Sequence, residues 1–223
     1  MSTLFGSGLP RPAVRVAPGV AHLPGWLSLE AQARLVEQAR DLARLVAGGP
    51  HAMTRPVLPS GRMSVHVLAL GQPWPPRPRA GVAPVPAGYG DLARAGLAAA
   101  AEVAGELGPW ADGSFRAEAA LINYYPPGST MGMHIDADEE ARAPVISLSI
   151  GEDAIFRMGN VHGRGRPWDD ITLMSGDLVV FGGPARRAYH GVPVVREGTA
   201  PEGCGVGRGR INITIRQVSP LVV

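Results

Sequence analysis

At 223 residues, 45% of them hydrophobic and 18% charged, the chain can form one domain, or a core with an elaborated N-terminal half, and can bury a real core. No stretch reaches the roughly 18 uninterrupted apolar residues of a membrane helix, and residues 1–10 lack the charged leader and apolar core of a secretory signal. The net charge of +2 is too small to imply nucleic-acid binding by itself, although all 21 basic residues are arginine, which stays charged and forks onto phosphate.

Residues 1–20 are rich in Pro and Gly without a period and are expected to form an extended or frayed lead-in. Ser28 is placed to cap a helix running to about Val46. Leu35, Val36, Ala39, Leu42, Ala43 and Val46 share one face of it, and Gly48-Gly49-Pro50 forms the stop. A second, Ala-rich helix is expected over about 91–107, with Leu92, Ala95, Ala99 and Val103 toward the core. Between the helices, residues 51–90 are broken by many prolines around a possible strand at 63–70. A stretch of that length is either a functional lid or an irregular connector. From Phe115 onward short strands are expected at 119–125, 145–150, 154–158, 171–174, 178–181 and 210–218, separated by Gly, Pro and Asp turns. Many short strands ending a chain fit a two-sheet jelly roll. Cys204 is the only cysteine, so no internal disulfide can form, which fits a reducing cytoplasm.

The chemistry concentrates at His134-Ile135-Asp136 and, much later, His190. Two imidazoles and a carboxylate can bind Fe(II) on one face and leave positions open for substrate and dioxygen. Positions two apart share a face on an extended strand, and a His on a neighbouring strand could close the set. A zinc hydrolase uses similar ligands, and an isolated H-x-D is often only a solvated loop. The run Arg210-Ile211-Asn212-Ile213-Thr214-Ile215-Arg216 alternates with period two, so its polar residues line one strand face. That face is either a solvated sheet surface or a pair of guanidinium forks for a dicarboxylate. Zinc hydrolysis would leave this strand without a purpose.

At these residues the chain resembles the AlkB-type Fe(II)- and 2-oxoglutarate-dependent dioxygenases that repair alkylated nucleic acid. The motifs are Asn123-Tyr124-Tyr125 with Pro127-Gly128, the run from His134 to Glu139, PVISLSIG at 144–151, Ala154-Ile155-Phe156, the run from Gly176 to Gly183, Tyr189-His190-Gly191, and the 210–216 strand. They stand in the family's order over residues 115–218. The resemblance implies one domain: an N-terminal extension with helices and lid over about 1–110, then a double-stranded β-helix jelly roll, mainly β with flanking helices. It implies Fe(II) on His134, Asp136 and His190, and 2-oxoglutarate on Arg210, with Asn123, Tyr125, Asn212 and Arg216 completing the contacts. Arg210 could alternatively partner Asp136. For the substrate it implies Met63 and Trp74 in the lid, Asp138 and Glu139 beside the metal pair, and Arg164 as a nucleic-acid contact. The activity implied is oxidative demethylation of 1-methyladenine and 3-methylcytosine in DNA. O2 and 2-oxoglutarate would be consumed, and succinate, CO2 and formaldehyde released. A cytoplasmic monomer without a membrane partner is expected, with RNA, protein or small-molecule substrates as the alternative. The prolines that follow Trp74 depart from the Tyr-containing stretch of the well-known bacterial members and leave lesion range open.

Overall fold

The computed structural model describes residues 11–59, 61–72, 81–136 and 139–220. The N-terminal half contains β1 (Val14–Ala17), β2 (Val20–Leu23), α1 (Leu29–Leu45), β3 (Val57–Leu58), β4 (Gly61–Arg62), β5 (His66–Gly71) and α2 (Ala87–Val103). The C-terminal half contains β6 (Ala119–Tyr125), β7 (Met131–His134), β8 (Val145–Gly151), β9 (Ala154–Met158), β10 (Asp169–Leu173), β11 (Leu178–Phe181), β12 (His190–Val195) and β13 (Arg210–Arg216). These strands form two facing antiparallel sheets. The larger has the order β1-β2-β11-β8-β13-β6-β5, the smaller β10-β9-β12-β7, and β3 and β4 pair separately.

Period-two alternation explains why the central strands of the larger sheet are buried on both faces. In β8, Ile146, Leu148 and Ile150 point toward the helices, while Val145, Ser147 and Ser149 face the smaller sheet; in β13, Ile211, Ile213 and Ile215 take the helix side. The helix-side layer is closed by Leu35, Val36, Ala39 and Leu42 of α1 and by Tyr89, Ala93, Leu97 and Ala100 of α2. Burial of each large aliphatic chain contributes about 1.5–3 kcal/mol. The inter-sheet layer holds Phe156, Met158, Ile171, Val179, Phe181 and Val192. The jelly roll therefore has an apolar back and an inner face that becomes polar toward β13 and β6.

Ser28 caps α1 by accepting a hydrogen bond from the Ala31 amide at 3.2 Å, and five of the six expected apolar positions are buried, Ala43 partly so. For α2 the start is Ala87 rather than residue 91, and the buried face is Tyr89, Ala93, Gly96, Leu97 and Ala100, with Ala95 exposed. In a helix this rich in Ala the sequence offers little apolar contrast. The face is set by close approach to the sheet, where a Cβ on Gly96 would stand 2.9 Å from Leu178. The lead-in is also corrected: over the described residues, 14–17 and 20–23 form strands that extend the larger sheet.

Asp177 explains how that N-terminal segment is held. Its buried carboxylate accepts from both terminal nitrogens of Arg11 at 2.7 Å, from the Gly25 amide at 2.8 Å and from the Met174 amide at 3.0 Å, and it contacts His22 Nε2 at 2.9 Å. Burial alone would push the Asp177 carboxyl up; the bonds from His22 and Arg11, then the two amides, hold it down to about 2 from an ordinary 3.8. A depressed carboxyl contributes stability above its unfolded value and loses it as pH falls through the folded value. We expect acidification from pH 4 to pH 2 to remove about 2 kcal/mol through this group. In urea melts across that range, Asp177→Asn should show a correspondingly shallower loss; identical pH slopes for the two proteins would refute the role.

Candidate active site

Strands β7 and β12 bring the metal-ligand candidates together. His134 is the last residue of β7 and stands directly opposite His190, the first of β12. Asp136 lies two residues beyond β7, so all three side chains converge at one end of the smaller sheet. His134 Nε2 is 3.8 Å from Asp136 Oδ1, His190 Nε2 is 3.6 Å from Asp136 Oδ2, and one donor atom from each residue lies within 4.8 Å of the others. His134 Nδ1 contacts the Gly132 carbonyl at 2.9 Å and His190 Nδ1 the Ala188 carbonyl at 3.1 Å. A carbonyl can only accept, so each Nδ1 carries the proton and each Nε2 lone pair is left for an ion. Burial, partly offset by Asp136, pushes His190 down to about 4, which keeps it a neutral ligand. Two imidazoles and one carboxylate, with the remaining side open, suit Fe(II). The His134 side chain is 38% exposed against 8% for Asp136 and 7% for His190, so the centre opens on the His134 side. Phe156 and Phe181 wall the other side, with ring centroids 5.7 and 4.9 Å from that of His190.

The polar face of β13 is buried rather than solvated. Arg210 lies between Tyr125 of β6 and Gly151 of β8, Asn212 between Asn123 and Ser149, and Arg216 beside Ala119. Arg210 is 1% exposed; its Nη2 donates to Ser149 Oγ at 2.8 Å, and its guanidinium carbon is 5.0 Å from the Tyr125 ring centre. Its Nε and Nη1 have no hydrogen-bond partner among the described residues. Burial pushes this guanidinium below its ordinary pKa, the response of a cation lacking an anion. Two free N–H directions on a buried cation fit an incoming carboxylate. Asn212 donates to Ser147 Oγ at 2.8 Å and to the Leu148 carbonyl at 3.0 Å, and Asn123 donates to Asn212 Oδ1 at 3.3 Å.

The guanidinium that partners Asp136 is Arg216, not Arg210: Arg216 Nη2 is 2.8 Å from Asp136 Oδ2. Burial would raise the Asp136 carboxyl, but Arg216, then His190, His134 and Arg186, hold it below the ordinary carboxylate range. Both oxygens of Glu139 are engaged, one by Arg216 at 2.7 Å and the other by Arg186 at 2.9 Å. Arg186 escaped the sequence reading; one arginine of the adjacent pair Arg186-Arg187 carries no periodic signal. Ser147 and Ser149 also escaped it, although their spacing in PVISLSIG places them on the inner face. Met63 packs against the inter-sheet core. Arg164 is exposed in the loop between β9 and β10, near Arg166, which stacks on Trp168 at 4.7 Å. Trp74 and Asp138 lie outside the described residues. A cleft of about 370 Å³ runs between residues 50–56 and the inner face of β5 and β6 and reaches Glu139 and Arg216.

Gly191 sets how closely the two His-bearing strands approach. A Cβ there would meet the Met131 carbonyl oxygen at 2.8 Å and the Gly132 backbone at 3.0 Å. Backbone atoms cannot swing aside as a side chain end can, so Gly191→Ala must move β7 away from His190. We expect a melting temperature several degrees lower and Co(II) affinity down about tenfold, comparable to losing a ligand-orienting partner. Unchanged Co(II) titrations would show that the strand spacing does not matter to the centre.

Comparison with known proteins agrees with this geometry. Residues 19–216 match the model of the 2OG-Fe(II) oxygenase superfamily. The chain is 41% identical over 107 residues to the alpha-ketoglutarate-dependent dioxygenase AlkB of Salmonella typhimurium, covering 48% of each protein. It is 37% identical over 116 residues to the tRNA demethylase abh1 of Schizosaccharomyces pombe, covering 48% of this chain and 38% of that one. The match thus spans about half or less of these relatives' length. The solved structure of OsALKBH1 superposes with a TM-score of 0.77 at 26% identity, covering 92% of this chain and all of that one. The chain belongs to the 2OG-Fe(II) oxygenase superfamily and is AlkB-like within it.

Proposed function

We propose that this protein is an Fe(II)- and 2-oxoglutarate-dependent dioxygenase that oxidatively demethylates alkylated bases, 1-methyladenine and 3-methylcytosine in DNA, as a direct-reversal repair enzyme. The observation that carries the reading is the pairing of two features on one inner face: the His134–Asp136–His190 set and the buried, half-unpartnered guanidinium of Arg210. With Fe(II) bound, the centre supplies oxidative chemistry in which O2 and 2-oxoglutarate become succinate and CO2 and a substrate C–H is hydroxylated. Arg210 fixes one carboxylate of the cosubstrate, and Tyr125, Asn123 and Asn212 shape the walls around it. Arg216 neutralises Asp136 so that the carboxylate stays ionised in a dry site. A lesion methyl presented from the His134 side becomes hydroxymethyl on nitrogen, which leaves as formaldehyde and restores the N–H or free ring nitrogen. The centre sits inside the barrel, so the base must leave its stack or come from a single strand.

DNA is the reading favoured by similarity to the bacterial AlkB, while the relative named as a tRNA demethylase keeps RNA as the second reading. The deciding experiment incubates the protein aerobically with Fe(II), 2-oxoglutarate and matched methylated DNA or RNA oligonucleotides. We expect succinate and formaldehyde to appear in equal amounts with 1-methyladenine DNA. Formaldehyde from RNA alone would shift the substrate to RNA. Succinate without formaldehyde from either would exclude nucleic-acid demethylation.

Losing one partner of a buried charge pair costs about 3–5 kcal/mol. Arg210→Gln should therefore raise the KM for 2-oxoglutarate at least about a hundredfold, with oligonucleotide affinity within about twofold. Weakened oligonucleotide binding at an unchanged 2-oxoglutarate requirement would instead make β13 a phosphate-binding face.

A further inference from the structure

Nothing in the strand ladder orients Asp136. It lies beyond the end of β7, in a connection whose described residues regain regular structure only at Val145. Arg186 reaches into that connection from the short turn Gly183–Ala185 and its cap, four residues before His190. It is 4% exposed and donates in three directions: Nη1 to the Asp136 carbonyl at 2.6 Å, Nε to the Ala143 carbonyl at 2.7 Å, and Nη2 to Glu139 Oε2 at 2.9 Å. Glu139 passes the contact on, because its other oxygen accepts from Arg216 Nη1 and Arg216 Nη2 holds Asp136 Oδ2. Arg186 thus meets Asp136 twice, directly at the backbone and through Glu139 and Arg216 at the carboxylate.

We propose that Arg186 is a positioning residue for the metal centre, fixing the orientation of Asp136 relative to His190 by clamping Asp136, Glu139 and Ala143 to the turn that delivers His190. The inference rests on the metal reading above but not on the identity of the organic substrate. A planar fork satisfies three acceptors at fixed angles; a lysine ammonium keeps the charge but cannot reach all three.

The test titrates the full chain with Co(II), following its d–d absorption, beside melting curves of the metal-free protein. Partners that orient a ligand are worth about ten- to hundredfold in metal affinity. Arg186→Lys should weaken Co(II) binding by about that factor and alter the band shape. A brace of the core alone would lower the melting temperature and leave both readouts at wild-type values, and that result overturns the proposal. Glu139→Gln interrupts the second route while sparing the first, so it should weaken Co(II) binding by a smaller factor. In the double variant the combined loss should be smaller than the product of the two single factors, because Arg186→Lys already breaks the route that Glu139→Gln interrupts. If Arg186→Lys does not fold, Glu139→Gln decides, and unchanged Co(II) affinity in it overturns the relay. Failure of the wild-type chain to bind Co(II) would overturn both the metal reading and this one, whereas wild-type binding with an indifferent Arg186→Lys removes only the latter.

Discussion

A carboxylate sealed from water needs a cation, and Asp136 finds one in Arg216 at the far end of β13. The pair joins the two sheets of the barrel at the point where the chemistry sits: Asp136 follows β7 of the smaller sheet and Arg216 closes β13 of the larger. Left alone in the interior, either charge would cost several kcal/mol. Together they are still not fully compensated, because Arg216 is also drawn to Glu139 and Glu139 to Arg186. The result is an alternating chain of charges, Arg186, Glu139, Arg216, Asp136, ending on an open ion site. Through it the described residues Asp136 and Glu139, which follow β7, are held in the buried interior.

The second buried cation, Arg210, follows the opposite logic. It lies on the same face of the same strand, six residues earlier, yet its neighbours are a serine hydroxyl and an aromatic ring, with no carboxylate bonded to it among the described residues. One inner face thus carries a guanidinium whose charge is spent on protein and another whose charge is kept available. The alternation of β13 could not distinguish them, since both arginines occupy equivalent positions in the pattern. The difference comes from β8 and the 136–143 connection, which supply serine opposite one end and carboxylates opposite the other.

That contrast shows where the sequence was legible. Strands β6, β9 and β11 stand at the expected residues because alternation or a compact apolar run marks them, and the Ser28 cap fixes α1. Strands β7 and β12 carried no such mark: Met131-Gly132-Met133-His134 lacks branched residues, and β12 contains Gly191 and Pro193 with an irregular register. Both are short strands set by pairing with each other rather than by propensity. The triad was visible from its residue types and spacing. Arg186 was not, because its role depends on where a turn folds back, and nothing local in residues 183–188 encodes the three acceptors it meets.

The two sides of the centre differ in how firmly they are built, and this bears on access. Behind His190 stand the buried rings of Phe156 and Phe181 and the β12–β9 ladder. In front, His134 is partly exposed at a strand end. Arg210 lies buried on the inner face of the larger sheet with two N–H groups unbonded among the described residues, the arrangement an incoming carboxylate requires. Among the three ligand candidates only His134 is partly exposed, so a bulky reactant would reach the centre from its side.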